Sequence, residues 1–185
     1  NPQWIPGASN TALNFSGSVN SAFVNISSGV NSLVTNNTTS ISAWINMKSP
    51  LPNPFPVYLG IVHIGETGLI FKASTKALSF VHPGNSEVAG GAFVMSANKW
   101  HHVTVVHAGN DIIDSSTTKL YIDGTELALG SLGSQFAVNF AGNTYVGMNK
   151  NYGSPSYFNG SIDEVRIYNR TLTAQEVIDI NNSIT

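Results

Sequence analysis

The side chains that could do acid–base or metal chemistry in this chain are its carboxylates and imidazoles, and their spacing speaks against both uses. There are 10 acidic residues and 5 histidines among 185 residues. Hydrolysis of a glycosidic bond needs two carboxylates across the bond, about 5 to 9.5 Å apart. The acids here are scattered, and the adjacent pair Asp163–Glu164 points to opposite faces of an unbroken strand. His101 and His102 are divided in the same way, while His63, His82 and His107 stand singly at strand ends. Zinc needs three or four converging ligands, and no stretch has that spacing. The chain has no cysteine, which excludes disulfides, thiolate metal sites and thiol nucleophiles. Chain order alone assigns no Ser–His–Asp triad. Catalysis is not expected.

Two weaker kinds of chemistry remain. Neutral sugars are held by aromatic faces that stack on the ring and by amides and hydroxyls that reach its OH groups. The aromatic candidates are Trp44, Phe55, Tyr152, Tyr157 and Phe158, with Asn149 and Asn151 as polar partners. Trp44 is out of phase with the apolar face of its strand, Phe55 lies in the proline-rich loop 49–56, and Tyr152, Tyr157 and Phe158 lie in the loop 150–158. Each has a plain structural reading beside the functional one: Trp44 is covered by a loop or a second sheet, and Trp100 belongs to the core. Calcium, which takes six to eight oxygen ligands, suits a chain rich in Asn, Asp and Gly.

Composition narrows the partners. Charged residues make up 10 % of the chain and the net charge is −2, so there is no basic field for nucleic acid or an anionic membrane. No apolar run approaches the roughly 20 residues that span a bilayer, and direct membrane insertion is not expected. The first ten residues, NPQWIPGASN, lack the basic and apolar regions of a signal peptide. The first residue therefore reads as a processing boundary with any export signal upstream. Asn, Ser, Thr and Gly take surface positions that Lys and Glu usually hold, which favours an extracellular setting, secreted or cell-surface. Asn-x-Ser/Thr acceptor sites occur at Asn14, Asn25, Asn36, Asn37, Asn159, Asn169 and Asn181, candidates for glycosylation in a suitable host.

These residues must be positioned by strands. Alternation marks strands at 12–16 and 22–26, then at 40–48 with Ile41, Ala43, Ile45 and Met47 on one face. Prolines keep 49–56 out of any central strand. Short runs at 57–64, 68–74, 76–83 and, less regularly, 87–95 read as a meander. Residues 99–107 form the clearest strand, Asp123–Gly124 marks a tight hairpin, and 143–149 is a further strand. The last strand, 161–169, places Val165 and Ile167 on one face and Glu164, Arg166 and Tyr168 on the other. With an unbroken register Asp163 shares the apolar face and must be hydrogen-bonded, paired or metal-bound. Thr173 and Glu176 have capping-box spacing, so a helix is expected from there through Val177 and Ile180. The expected architecture is all-β: one domain over residues 1–185, a two-sheet antiparallel β-sandwich of jelly-roll type with one short C-terminal helix.

The closing segment Gly160, Ile162 to Asn169, Leu172 and Glu176 resembles the terminal motif of laminin-G-like, concanavalin A-like jelly-roll domains. ALNFSGS near the start, SISAWIN at 40–46, and KWHHVTVV with KLYIDGTEL within 99–127 fit the same pattern in the same order. The resemblance implies the fold for nearly the whole chain and says little about activity. Hydrolases of this fold usually carry Glu-x-Asp-x-Glu on one strand, which is absent here. Members often hold an ion near the closing motif and first hairpin, which implicates Asp163 with oxygens from Ser16 to Asn20. Where relatives place acids, this chain has Ser16 and Asn20, so two readings of Asp163 stand: structural Ca2+, or backbone N–H groups as its partners. The expected function is a non-catalytic extracellular carbohydrate-binding or adhesion module of a larger protein, with glycans or other surface proteins as partners. The alternative is a structural or protein-interaction domain of a cell-surface or filament assembly, carrying glycan but taking no soluble ligand.

Overall fold

The computed structural model describes residues 3–17, 22–27, 30, 33–34, 36–49, 58–82, 86–91, 95–109, 112–132, 138–150 and 155–184. In chain order the elements are β1 (Gln3–Pro6), β2 (Thr11–Ser16), β3 (Val24–Ile26), β4 (Thr39–Met47), β5 (Tyr58–Ile64), β6 (Thr67–Lys72), β7 (Ala77–His82) and β8 (Ser86–Gly90). There follow β9 (Trp100–His107), β10 (Thr118–Ile122), β11 (Thr125–Glu126), β12 (Leu129–Leu132), β13 (Thr144–Val146), β14 (Met148–Asn149), β15 (Ser156–Tyr157), β16 (Asn159–Tyr168) and α1 (Ala174–Asn182).

Two seven-stranded antiparallel sheets face each other, and a third sheet is the small hairpin β14–β15. The first sheet runs β1-β2-β16-β4-β9-β10-β11 and the second β12-β8-β7-β6-β5-β13-β3. Alternation decides which residues meet between them. Ile41, Ala43, Ile45 and Met47 of β4 join Val103 and Val105 of β9 in a buried cluster with Leu59, Leu69, Phe71, Leu78, Phe80 and Val88 of the second sheet. The β10–β11 hairpin turns through Asp123 (φ 50°) and Gly124 (φ 77°), the paired left-handed conformation of a two-residue turn whose twist matches the strands.

The closing strand departs from its expected register. Asp163 pairs with Trp44 but Arg166 pairs with Ser42, so β16 has one residue more than β4 between them, and Glu164 sits at φ 47°. This bulge flips the phase of the strand. Ile162 lies in the core before it, and Val165 and Ile167 pack on the core after it. Asp163 is thereby placed opposite Trp44, on the outer face of the first sheet, rather than with Val165 and Ile167. The bulge also lets Asp163 and Glu164 border one apolar cavity of about 230 Å³ beneath Trp4, so they do not simply face opposite ways.

Asp163 is the clasp of this edge. Its carboxylate accepts N–H bonds from Ser9 (2.9 Å) and Glu164 (2.8 Å). A side chain on Gly7 would overlap Asp163 Oδ2 and the Thr11 backbone, so glycine there permits the close approach. The helix begins as its spacing demands: Thr173 Oγ1 accepts from the Glu176 N–H and Glu176 accepts from the Thr173 N–H. Arg170 grips the same carboxylate through both guanidinium nitrogens, which together with the cap holds the Glu176 pKa down to about 2. Leu172 and Val177 then pack on Val106 and Tyr121 of the first sheet's outer face. Trp100, expected in the core, is half-buried and outside it, and Trp4 is 69 % exposed on β1, the sheet's edge strand.

Candidate functional site

The outer face of the second sheet gathers aromatic and polar side chains. In β13, Val146 faces the core, so Tyr145 must face outward, and it pairs there with His63 of β5 and Asn25 of β3. Phe23, just before β3, meets the Tyr145 ring edge-on at 5.9 Å and the Tyr157 ring at 6.3 Å. Lys150 Nζ lies 6.0 Å from the Tyr145 centroid. Phe23 is 36 % exposed and Tyr157 half-buried, so the cluster presents aromatic surface to solvent while Tyr145 supports it from below.

Backbone approach fixes this cluster in place. Gly147 (φ 81°) turns the chain after β13, donating to Ile61 O (3.0 Å) and accepting from Phe158 N (2.9 Å). The β14–β15 hairpin then crosses the outer face of β5, where any side chain on Gly60 would overlap the Met148–Asn149 backbone. Ser156 Oγ donates to Tyr58 O and ties the returning strand down beside Tyr157. Below this, His63 is fully buried against Gly68, and burial lowers its pKa to about 4, so the imidazole is neutral.

On the other flank of the hairpin lies a polar network. Glu87 Oε2 accepts from Lys72 Nζ (2.9 Å) and Glu87 Oε1 from Ser79 Oγ (2.8 Å), with Lys72 Nζ standing 5.3 Å over the Tyr58 ring. Burial works to lower the Lys72 pKa, but the Glu87 hydrogen bond and charge outweigh it and hold it above its ordinary value. A groove of about 290 Å³ opens beside this pair, floored by Ala77, Ala89, Gly90, Gly91 and Gly130.

Of the residues singled out in the sequence, the structure brings Tyr157 into this face. Asn149 is adjacent but wholly buried, so it supports the hairpin and does not reach a surface ligand. Trp44 lies on the other side of the sandwich, half-buried with its ring 5.4 Å from His102. Phe55, Asn151, Tyr152 and Asn20 lie outside the described residues. Phe23 and Tyr145 escaped notice although each is an aromatic in the outward phase of an apolar strand, a signal the sequence does contain. Lys72, Ser79 and Glu87 are joined only by the register of β6, β7 and β8. Among the acceptor sites Asn25, Asn36 and Asn169 are exposed, whereas Asn14, Asn37, Asn159 and Asn181 are half-buried.

Of the residues implicated in calcium binding, Ser16 and Asp163 do not converge. Ser16 pairs with Asn159, four residues from Asp163 along β16, a separation of about 13 Å at strand rise. One ion holds its ligands at about 2.3 to 2.6 Å and cannot bridge that gap. Among the described residues the Asp163 carboxylate accepts from two backbone N–H groups, and no three His, Cys, Asp or Glu side chains cluster. The second reading of Asp163, a carboxylate satisfied by backbone N–H groups, fits this geometry.

The family model for concanavalin A-like lectin/glucanases of the laminin G type matches residues 17–178, and the chain belongs to that superfamily. Comparison with curated proteins gives no match. Among solved structures, the chain is similar to domain 4 of AbnA, an extracellular GH43 arabinanase from Geobacillus stearothermophilus in complex with arabinotriose. The TM-score is 0.67 at 20 % identity, covering 98 % of this chain and 81 % of that one. It is also similar to Trypanosoma rangeli sialidase (TM-score 0.65, 18 % identity, 99 % of this chain and 28 % of that one). A structure described as a receptor binding domain gives TM-score 0.71 at 17 % identity, covering 100 % of this chain and 45 % of that one. At these identities the likeness establishes the fold. No helix among the described residues is long and apolar enough to cross a membrane.

Proposed function

We propose that this domain is a non-catalytic carbohydrate-binding module, working outside the cell as part of a larger secreted or surface protein. The observation that carries the reading is the outward aromatic cluster Phe23–Tyr145–Tyr157, held rigid by the β14–β15 hairpin on a sheet face. A sugar ring stacks on Phe23 and Tyr157 while hydroxyls are taken up by neighbouring polar side chains. The platform is pre-formed, so little ordering is lost on binding. That a similar domain of an arabinanase was crystallised with arabinotriose supports the class of ligand. In support of the non-catalytic reading, the adjacent acids are already engaged, Asp163 by two N–H groups and Glu164 by Arg166 at 2.7 Å. The test is titration of the domain with a panel of oligosaccharides, followed by calorimetry. Phe23→Ala and Tyr157→Ala are each expected to weaken binding roughly tenfold, the scale of one stacking contact. Absence of binding across the panel refutes the reading.

A second reading, a protein-interaction domain, is favoured by one observation: the free edge strand β1 with Trp4 exposed above the apolar cavity and Ile26 exposed at the edge strand β3. Exposed apolar surface at an edge is a common docking feature. Failure of glycan binding, together with self-association of the wild-type domain that Trp4→Ser abolishes, would favour it.

A further inference from the structure

The outer face of β6, β7 and β8 carries an ion pair that stability does not account for. Glu87 is only 8 % exposed, and desolvating such a pair roughly cancels its attraction, so apolar side chains would hold these strands equally well. The pair is nevertheless fixed from three sides, by Ser79 Oγ, by the Tyr58 ring and by its own 2.9 Å contact. It opens onto the 290 Å³ groove.

Gly130 is the informative residue of that groove's floor. It lies inside β12, it is not at positive φ, and a Cβ added there would meet nothing within 4 Å among the described residues. Neither turn geometry nor packing asks for glycine, although glycine weakens a strand and often marks the close approach of a ligand. Gly90 differs, because a side chain there would strike Leu127.

We propose that this groove is a subsite for a neutral sugar unit bearing two adjacent hydroxyls. One hydroxyl accepts from the Lys72 ammonium and its neighbour donates to the Glu87 carboxylate. The proposal rests on the glycan-binding reading above and names the chemistry of the ligand at a second place on the same face. A hydroxyl is both donor and acceptor, so a vicinal diol matches an ammonium and a carboxylate held side by side. The two charges cancel, so the complementary ligand carries none. The alanine and glycine floor leaves room for a ring to lie against the strands, and the held side chains lose little freedom on binding.

The test uses arabinotriose, cellotriose, mannotriose and galactotriose as neutral probes and 3′-sialyllactose as an acidic one, with calorimetry and amide chemical-shift mapping of the intact domain. At least one neutral probe is expected to bind and to shift the amides of Ala89, Gly91 and Gly130. Glu87→Gln and Lys72→Met are expected to weaken that probe roughly 10- to 100-fold, the range for a hydrogen bond to a charged group. Gly130→Leu starts from a position where a Cβ meets no described atom, and is expected to fill the groove and abolish the shifts there while leaving the thermal midpoint in place. It keeps the test valid should either ion-pair variant fail to fold. If no probe binds the wild-type domain, the glycan-binding reading falls and the diol subsite with it. If a probe binds but shifts only amides near Phe23 and Tyr157, and Gly130→Leu leaves affinity unchanged, the subsite alone is overturned. Tighter binding of the sialylated probe than of every neutral one also overturns it.

Discussion

Acid should destabilise this domain through two buried imidazoles, His63 and His102. Burial lowers the pKa of both His63 and His102 from 6.5 to about 4, and for His102 the nearby Arg166 adds to the effect while Asp123 opposes it. The unfolded chain takes up these protons near pH 6.5 and the folded chain only near pH 4. The stability is therefore fully present above pH 6.5 and is lost as pH falls from 6.5 to about 4. A separation of this size amounts to about 3 kcal/mol for each imidazole, a large share of the 5–15 kcal/mol typical of a domain. Glu176, held down to about 2, titrates below this window. His102→Phe separates the two histidines, because it removes one titration together with two ring nitrogens that are buried without a partner. Urea unfolding at pH 7.5, 6, 5 and 4 should show the wild type losing up to about 6 kcal/mol and the variant about half of that. At pH 7.5 the variant should match the wild type within about 1 kcal/mol. An NMR titration that places the His102 midpoint near 6.5 in the folded domain, or a variant with the wild-type pH slope, refutes the reasoning.

Three further outcomes follow from the geometry. Adding Ca2+ or a chelator should leave the thermal midpoint unchanged, because ligand binding to the native state must raise it and the described residues around Asp163 present N–H groups; a clear rise with Ca2+ would reinstate an ion site. Asp163→Ala strips the acceptor from the Ser9 and Glu164 N–H groups and should cost about 3 kcal/mol in urea unfolding, two charge-assisted bonds' worth. Gly60→Ala forces the Met148–Asn149 backbone off β5 and should cost about 1–3 kcal/mol. It should also weaken glycan binding, since the displaced hairpin carries Tyr157; unchanged affinity would separate the hairpin from the site.

Much of the framework was legible in the residues themselves, because those features are local. The alternation of Ile41, Ala43, Ile45 and Met47, the left-handed turn at Asp123–Gly124 and the cap formed by Thr173 and Glu176 each depend on neighbours within a few positions. The outward phase of Trp44 was equally plain. Its place beside His102, away from Tyr157, was not, since two sheets cannot be assigned from alternation alone.

What only the tertiary structure decided is register and depth. The bulge at Glu164 moved Asp163 to the outer face, and nothing in the order Asp163–Glu164–Val165 announces one extra residue relative to β4. Pairing in β2 and β16 set Ser16 apart from Asp163, although both lay in segments that resemble ion-holding ones. Asn149 is the polar end of a strand by sequence and a buried support by structure, because the hairpin lies down on Gly60. Lys72, Ser79 and Glu87 are brought within hydrogen-bonding distance by three antiparallel neighbours. A strand's own residues fix which side chains share a face, since that follows from its two-residue period; only the partner strand fixes which faces meet, and a shift of one residue changes them all.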